Sequence, residues 1–247
     1  MAFVHLHNHT EYSLLDGLTH IKDMVRRAAE LDMPAVAVTD HGVMSGMVEL
    51  SDACDAVEKE TGKRVKPIFG CEVYFTPDES LRKDVKPKLY HLLLLAKNNE
   101  GYHNLLKLVS ESHVDNFYYK PRTTFSMLQK YGHGIIGSSC FDEGDFYIEL
   151  QNQGIRTDAG FTQTELNHEL TRVAKAAGLK TIATNDFHYL LKEDAEAQDI
   201  MLCIGTGSTV NQTNRMKFEN DQFYMKTEEE MREAMKDFPE ACDNTVE

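Results

Sequence analysis

At 247 residues with 41% hydrophobic side chains, the chain is long enough to bury a full core and too apolar to be disordered. Its 26 Lys and Arg against 40 Asp and Glu give a formal charge of −14, an awkward balance for a simple nucleic-acid binder, which is normally basic. Five irregularly spaced cysteines speak for a reducing compartment rather than a disulfide framework. With no leader-like start and no apolar run of the ~20 residues that span a bilayer, a cytoplasmic chain with no membrane partner is expected.

Strand-like and helix-like segments alternate from end to end. Residues 3–6 read as a strand, residues 21–31 have helical periodicity, and residues 34–39 form a short buried strand ending at Asp40-His41. A helix over residues 44–60 and a strand over 65–74 follow. Residues 89–96 contain four consecutive leucines, as in a parallel strand covered on both faces. Residues 100–112 read as helix, 134–137 and 145–150 as strands, 165–177 as a helix closed by Gly178, and 179–184 as the strand after it. Residues 205–226 read as a loop, and 226–238 as a last helix with Thr227 as N-cap ahead of three glutamates. Repeated β–α units imply a parallel sheet, and so many units favour a closed α/β barrel spanning residues 1–247 as one domain.

The most informative stretch is His5-Leu6-His7-Asn8-His9. Alternate residues of a strand share a face, so three imidazoles line one side of the first strand. Imidazole is the commonest side-chain metal ligand, and two ligands two positions apart can grip one ion. The pattern recurs along the chain. Asp16 lies in the next turn, Asp40-His41 ends the second strand, and Cys71-Glu72 lies in the third. Tyr90-His91 opens the Leu-rich strand, Ser138-Ser139-Cys140 follows residues 134–137, and Asn185-Asp186-Phe187-His188 ends the late strand. In a parallel barrel the C-terminal strand ends share one face, so these side chains converge there. His91, at the start of its strand, fits least well. His20, His103, His113, His133 and His168 read as surface or capping groups, and Cys54, Cys203 and Cys242 as small apolar groups on helices.

Residues 5–17, 39–46, 69–75, 117–122, 137–140 and 184–189 together resemble the PHP (polymerase and histidinol phosphatase) family. The resemblance is strongest to the branch found at the N-terminus of bacterial replicative polymerases, and residues 202–207 and 214–216 share it. It implies a distorted seven-stranded β/α barrel, (β/α)7, with a metal site at the C-terminal strand ends and up to three ions. It also implies nine ligands: His7, His9, Asp16, His41, Glu72 as a bridging carboxylate, His91, Cys140, Asp186 and His188. His5 sits where many relatives have Asp and is not implied as a ligand. All nine positions carry coordinating side chains, which favours a working site. Two departures stand out. Only residues 141–145 join the Cys140 motif to the segment at Phe146, where polymerase relatives carry a few dozen mostly helical residues, so the link looks shortened. No polymerase body is present in the sequence, so this chain alone is not expected to synthesise DNA.

Clustered divalent ions lower the pKa of bound water, and a bridging Glu72 holds two of them ~3.5–4 Å apart, a spacing suited to in-line attack at phosphorus. Imidazole, carboxylate and one thiolate together suit Zn, Mn or Fe better than Mg or Ca. Glu72, Asp186 and His41 are the expected catalytic core, with Lys120 and Arg122 near the mouth as phosphate contacts. The expected function is a metal-dependent phosphoesterase holding two or three such ions. Its substrate is a phosphate ester or a DNA 3′ end, in a 3′→5′ exonuclease or pyrophosphatase role beside a polymerase body and replisome. The alternative is a non-catalytic module braced by metals that supports the polymerase. The acidic balance predicts weak DNA binding by the isolated chain.

Overall fold

The structure, a computed structural model, describes residues 2–137, 146–157 and 159–247. In chain order its elements are α1 (Ile21–Glu30), β1 (Ala35–Val38), α2 (Met47–Thr61), β2 (Lys66–Phe75), β3 (Tyr90–Ala96) and α3 (Asn99–Val114). Then come β4 (Phe117–Tyr118), β5 (Lys120–Thr123), α4 (Phe125–Tyr131), β6 (Ile135–Gly137), β7 (Tyr147–Gln151) and α5 (Gln163–Ala177). The last are β8 (Lys180–Thr184), α6 (Ala195–Thr206), α7 (Glu228–Ala234) and α8 (Pro239–Asp243). The class is mixed α/β. Among the described residues no helix is long and apolar enough to cross a membrane.

The long strand β2 organises the sheet. Its first half pairs parallel with β1, its second half pairs antiparallel with β3, and its last two residues pair parallel with β5. Strand β3 pairs antiparallel with β6, and β4 with β5, while β7 and β8 form a separate parallel pair. The expected all-parallel sheet is therefore corrected to a mixed one. Four buried leucines require that both faces be covered, and they are: Leu92 and Leu94 pack towards α3 and α4, Leu93 and Leu95 towards Val4, Leu6 and Ile182. Coverage does not fix strand direction, which is why the leucine run could not reveal it. Single bridges stand in place of continuous ladders: Gly137, at the end of β6, to Phe146, just before β7, and Asn8, on the N-terminal segment, to Phe187, in the turn after β8.

Three local expectations change. Residues 3–6 form no regular strand, although the Ala37 amide donates to His5 O at 3.1 Å and the Thr39 amide to Asn8 O at 3.1 Å. The last helix, expected over residues 226–238, is shorter: α7, capped by Thr227 as expected, ends at Ala234, and a separate helix, α8, starts at Pro239, where a missing N–H costs nothing. The segment read as a loop from residue 205 begins only after α6, which runs to Thr206 and closes at Gly207 in the left-handed region.

Helix α3 starts against the turn into β6. The Asn98 side chain accepts from the Gly101 amide at 2.9 Å, and a Cβ on Gly101 would lie 1.6 Å from Gly134 O. No side chain fits there without parting helix from turn. Gly101→Ala is expected to destabilise the fold by about 1–3 kcal/mol or more, as overpacking does. A lower urea midpoint at unchanged slope would register it.

Candidate metal centre

His7 and His9 lie on the extended N-terminal segment, which the side chain between them pins. Asn8 Nδ2 donates to His5 O at 3.0 Å and to Ala37 O at 2.9 Å, and the His9 amide donates to Phe187 O at 2.9 Å. That anchoring sets both imidazoles between β1 and the turn after β8, which carries Asp186 and His188. Glu72 lies on β2, beside His41 through a backbone bridge. Because β3 runs antiparallel, its first residues lie at the far end of β2, and Tyr74 pairs with His91. The apparent misfit of His91 thus disappears.

Glu72 is the hub. Its Oε1 lies 3.3 Å from His7 Nε2 and 3.1 Å from His91 Nδ1; its Oε2 lies 2.7 Å from His41 Nδ1 and 3.4 Å from His9 Nε2. Asp186 Oδ1 lies 3.4 Å from His7 Nε2 and 3.2 Å from His9 Nε2. Asp16 Oδ2 lies 2.8 Å from His41 Nε2 and 3.7 Å from His188 Nε2. Eight of the nine expected ligands are so gathered; Cys140 falls outside the described residues. Three overlapping groups, His9–His41–His188, His7–His9–Glu72 and His41–Glu72–His91, each place their donor atoms within 4.8 Å of one another.

A buried polar atom normally has a hydrogen-bond partner. Here His7 Nε2, His9 Nε2, His41 Nδ1, Glu72 Oε2 and Asp186 Oδ1 are buried without one, all facing one small volume. The outer nitrogens are satisfied. His7 Nδ1 donates to Glu149 Oε1 at 2.7 Å, and His188 Nδ1 to Asp186 O at 2.9 Å. The Ser13 hydroxyl donates to Asp40 at 2.7 Å, so it accepts from His9 Nδ1 at 2.9 Å. Each of these three rings therefore carries its proton outward, leaving Nε2 free to hold a cation. Imidazole and carboxylate donors converging on an otherwise unsatisfied volume fit divalent ions of the Zn, Mn or Fe kind.

Charge agrees with that fit. Burial alone would push His41 down, but Asp16 and Glu72 outweigh it and hold it at about 9. His7 follows the same logic, burial being overcome by Asp186, Glu149 and Glu72. Burial would raise Glu72, and His7 and His41 turn the shift well downward; Asp16 and Asp186 are lowered likewise by their histidines. His5 is different. Buried between Phe3 and Phe187, it bonds Lys226 O at 2.9 Å, and burial lowers it to about 4, so it stays a neutral core group.

One carboxylate escaped the sequence reading, Glu149, and a second, Asp40, was read only as a strand-end metal-ligand candidate beside His41. Glu149, on β7, also accepts from Thr184 and Gln151 and orients His7. Asp40, fully buried, accepts from the Thr10 amide at 2.7 Å and the Thr10 hydroxyl at 2.8 Å as well as from Ser13. A Glu inside an apolar strand was the available signal for the first, since acidic groups are seldom buried unpaired. His113 is exposed, as expected of a surface or capping group, and bonds Gly42 O at 2.8 Å.

The centre opens into a cleft of about 490 Å³ whose walls include Asp16, His41, Tyr74, His91 and Lys120. Lys120 is thus at the mouth, its Nζ 4.9 Å above the Tyr74 ring. Arg122 is not: strand alternation and the Leu81–Arg82 backbone enclose it. It is 1% exposed and donates to Asn116 O, Arg82 O and Leu81 O at 2.8–2.9 Å.

This α/β scaffold with its histidine–carboxylate centre belongs to the PHP domain family, whose model matches residues 5–178. Its similarity to curated proteins runs to DNA polymerase III alpha subunits. It is 39% identical to DNA polymerase III subunit alpha of Borreliella burgdorferi over 274 residues, covering 99% of this chain and 23% of that protein. It is 37% identical to that of Helicobacter pylori strain 26695 over 283 residues, covering 100% of this chain and 22% of that protein. For Treponema pallidum the figures are 35% over 277 residues, 100% and 23%. The chain spans less than a quarter of the length of these relatives. The alignments exceed its 247 residues, so the relatives carry residues without counterpart here.

Arg122→Ala is expected to destabilise the protein by about 2–4 kcal/mol, since each hydrogen bond to a charged group contributes ~1.5–3 kcal/mol. Arg122→Lys should recover only part, because an ammonium cannot reproduce the guanidinium fork. Chemical denaturation reads both, and a parental midpoint for Arg122→Ala would return this side chain to the list of phosphate contacts.

Proposed function

We propose that the chain is a metal-dependent phosphoesterase domain covering residues 1–247. In this reading His7, His9, Asp16, His41, Glu72, His91, Asp186 and His188, with Cys140, hold two or three divalent ions of the Zn, Mn or Fe type. The observation that carries it is the set of five buried, unpartnered donor atoms aimed at one volume. The bridges Gly137 to Phe146 and Asn8 to Phe187, with the N-terminal segment lying along β1, support a ring of that segment, β1, β2, β3, β6, β7 and β8 as one distorted seven-stranded barrel.

When bound, the ions supply a water of lowered pKa and neutralise charge on a phosphoryl oxygen. The chain's own residues do the rest. Glu72 presents its two oxygens to different imidazoles and is suited to bridge two ions. Asp186 faces the same volume from the opposite strand end. His41, between Glu72 and Asp16, links the buried floor to the mouth. Lys120 at the rim orients the substrate phosphate. Beside a polymerase body and replisome such a site would serve as a 3′→5′ exonuclease or pyrophosphatase. The alternative, a metal-braced module supporting a polymerase without catalysis, draws on the match to a small part of DNA polymerase III alpha subunits.

Elemental analysis and a chromogenic phosphodiester separate these readings. Two or three ions per chain are expected, with hydrolysis lost to chelator and restored by Mn or Zn. Glu72→Ala should lose both ions and activity, whereas His5→Ala should keep its metals. Less than one ion per chain after reconstitution overturns the proposal; metal-replete protein inert towards phosphodiester and single strand favours the structural module.

Glu149→Gln keeps an acceptor oxygen but removes the charge that orients His7. Loss of such an outer partner typically weakens metal affinity about 10–100-fold. Competition against a chromophoric chelator would measure the drop, with Glu149→Ala expected to fall at least as far.

A further inference from the structure

One rim of the cleft has a character unlike the rest of this acidic chain. Residues 82–90 and 117–122 carry six cations, Arg82, Lys83, Lys86, Lys88, Lys120 and Arg122, against a single carboxylate, Asp84. Arg82 Nε donates to Asp84 at 2.9 Å, and Arg122 is buried. Lys83, Lys86, Lys88 and Lys120 remain exposed, with no carboxylate paired to them among the described residues.

Aromatic rings lie among these lysines. Tyr90, Phe117 and Tyr119 are 45%, 47% and 65% exposed. Lys88 Nζ lies 5.0 Å from the Tyr90 ring centre, and the Tyr118 and Tyr119 rings are 4.7 Å apart. Strands β4 and β5 form a hairpin in which Tyr118 pairs with Lys120, leaving Tyr119 alone at the tip with φ +61°. A bulky residue rarely accepts that conformation, and here it presents the ring to solvent.

The patch leads into the metal centre. Tyr74 pairs with Arg122 on one side and His91 on the other, and Phe75 pairs with Tyr90. The Tyr74 ring lies 5.2 Å from His91 and 5.9 Å from His41, beneath Lys120.

We propose that this rim docks single-stranded nucleic acid. Unpaired bases stack on Tyr119 and Tyr90, and backbone phosphates lie against Lys86, Lys88 and Lys120, the last delivering a phosphate to the mouth. Base–aromatic stacking beside lysines is how strands are held without sequence preference. A duplex hides its base faces, and an acidic peptide would satisfy the lysines while leaving the rings unused. The remaining negative charge is screened beyond ~10 Å at 0.1 M salt, so the local patch decides approach, and its few lysines keep affinity modest. The proposal rests on the phosphoesterase reading and deepens it by naming the surface that holds the strand.

The test is fluorescence anisotropy of labelled oligothymidylate with the full chain, in chelator and at low salt. Saturable binding is expected. Tyr119→Ala and Tyr90→Ala should each weaken it about fivefold or more, Tyr119→Phe should bind like the parent, and Lys120→Ala should reduce the salt slope by about one. An abasic strand and a duplex should compete poorly, and Lys175→Ala, on α5, should change nothing. Folding of each variant is checked by its melting temperature. Parental binding by both Tyr→Ala variants, or equal competition by the abasic strand, overturns the stacking surface. Because binding is read without metal, its failure is distinguishable from failure of phosphodiester hydrolysis.

Discussion

A carboxylate taken out of water must be paired or it destabilises the fold, and Glu72 is taken out of water with four imidazoles closing on its two oxygens. Much of the architecture follows from that one group. Strand β2 carries it opposite Leu93, within the leucine run, and β3 must run antiparallel to return His91 to the same end. The first segment must lie along β1 so that His7 and His9 face it. Asp186, Asp16 and Glu149 add negative charge that imidazolium or a bound cation must balance. Without a bound cation, His7 and His41 are held protonated and Glu72 charged, each by the other.

Holding such a cluster needs outer partners at least as ordered as the donors themselves. Asp40 and Ser13 illustrate how few atoms suffice. The Ser13 hydroxyl gives its hydrogen to Asp40 and accepts from both His9 Nδ1 and the His41 amide, at 2.9 and 3.1 Å. One hydroxyl thus orients a ring on the first segment and the backbone of the second strand end. Glu149 does the corresponding work for His7 from the opposite sheet. Glu149 lies away from the cleft and Ser13 in its wall, and both hold their rings by hydrogen bonds to Nδ1.

The candidate site was more legible than the path that builds it. Alternating His7 and His9, and the pair Asp186 and His188, announce a shared face from spacing alone. The position of His91 was legible but its logic was not, because leucines buried on both faces look alike in a parallel or an antiparallel strand. Arg122 and Lys120 are two residues apart in one basic stretch, yet one clamps three backbone carbonyls and the other lines the cleft. Charge alone cannot tell a buried clamp from a rim cation. Glu149 was passed over because its partner lies 142 positions away. The early end of α7 at Ala234 left no comparable signal, since residues 235–238 include neither Gly nor Pro.

The pinning of the first segment by Phe187 has a temporal side. The donor atoms at His7 and His9 gain their setting only when the chain reaches a turn about 180 residues later. Contacts so distant in sequence form late, after the entropy of closing the intervening loop has been met. During synthesis the first segment therefore emerges long before the turn that carries Phe187, while its partners on β1 follow about thirty residues later. The centre is in effect a record of completed folding, and a nascent chain lacking Asp186 and His188 cannot assemble it.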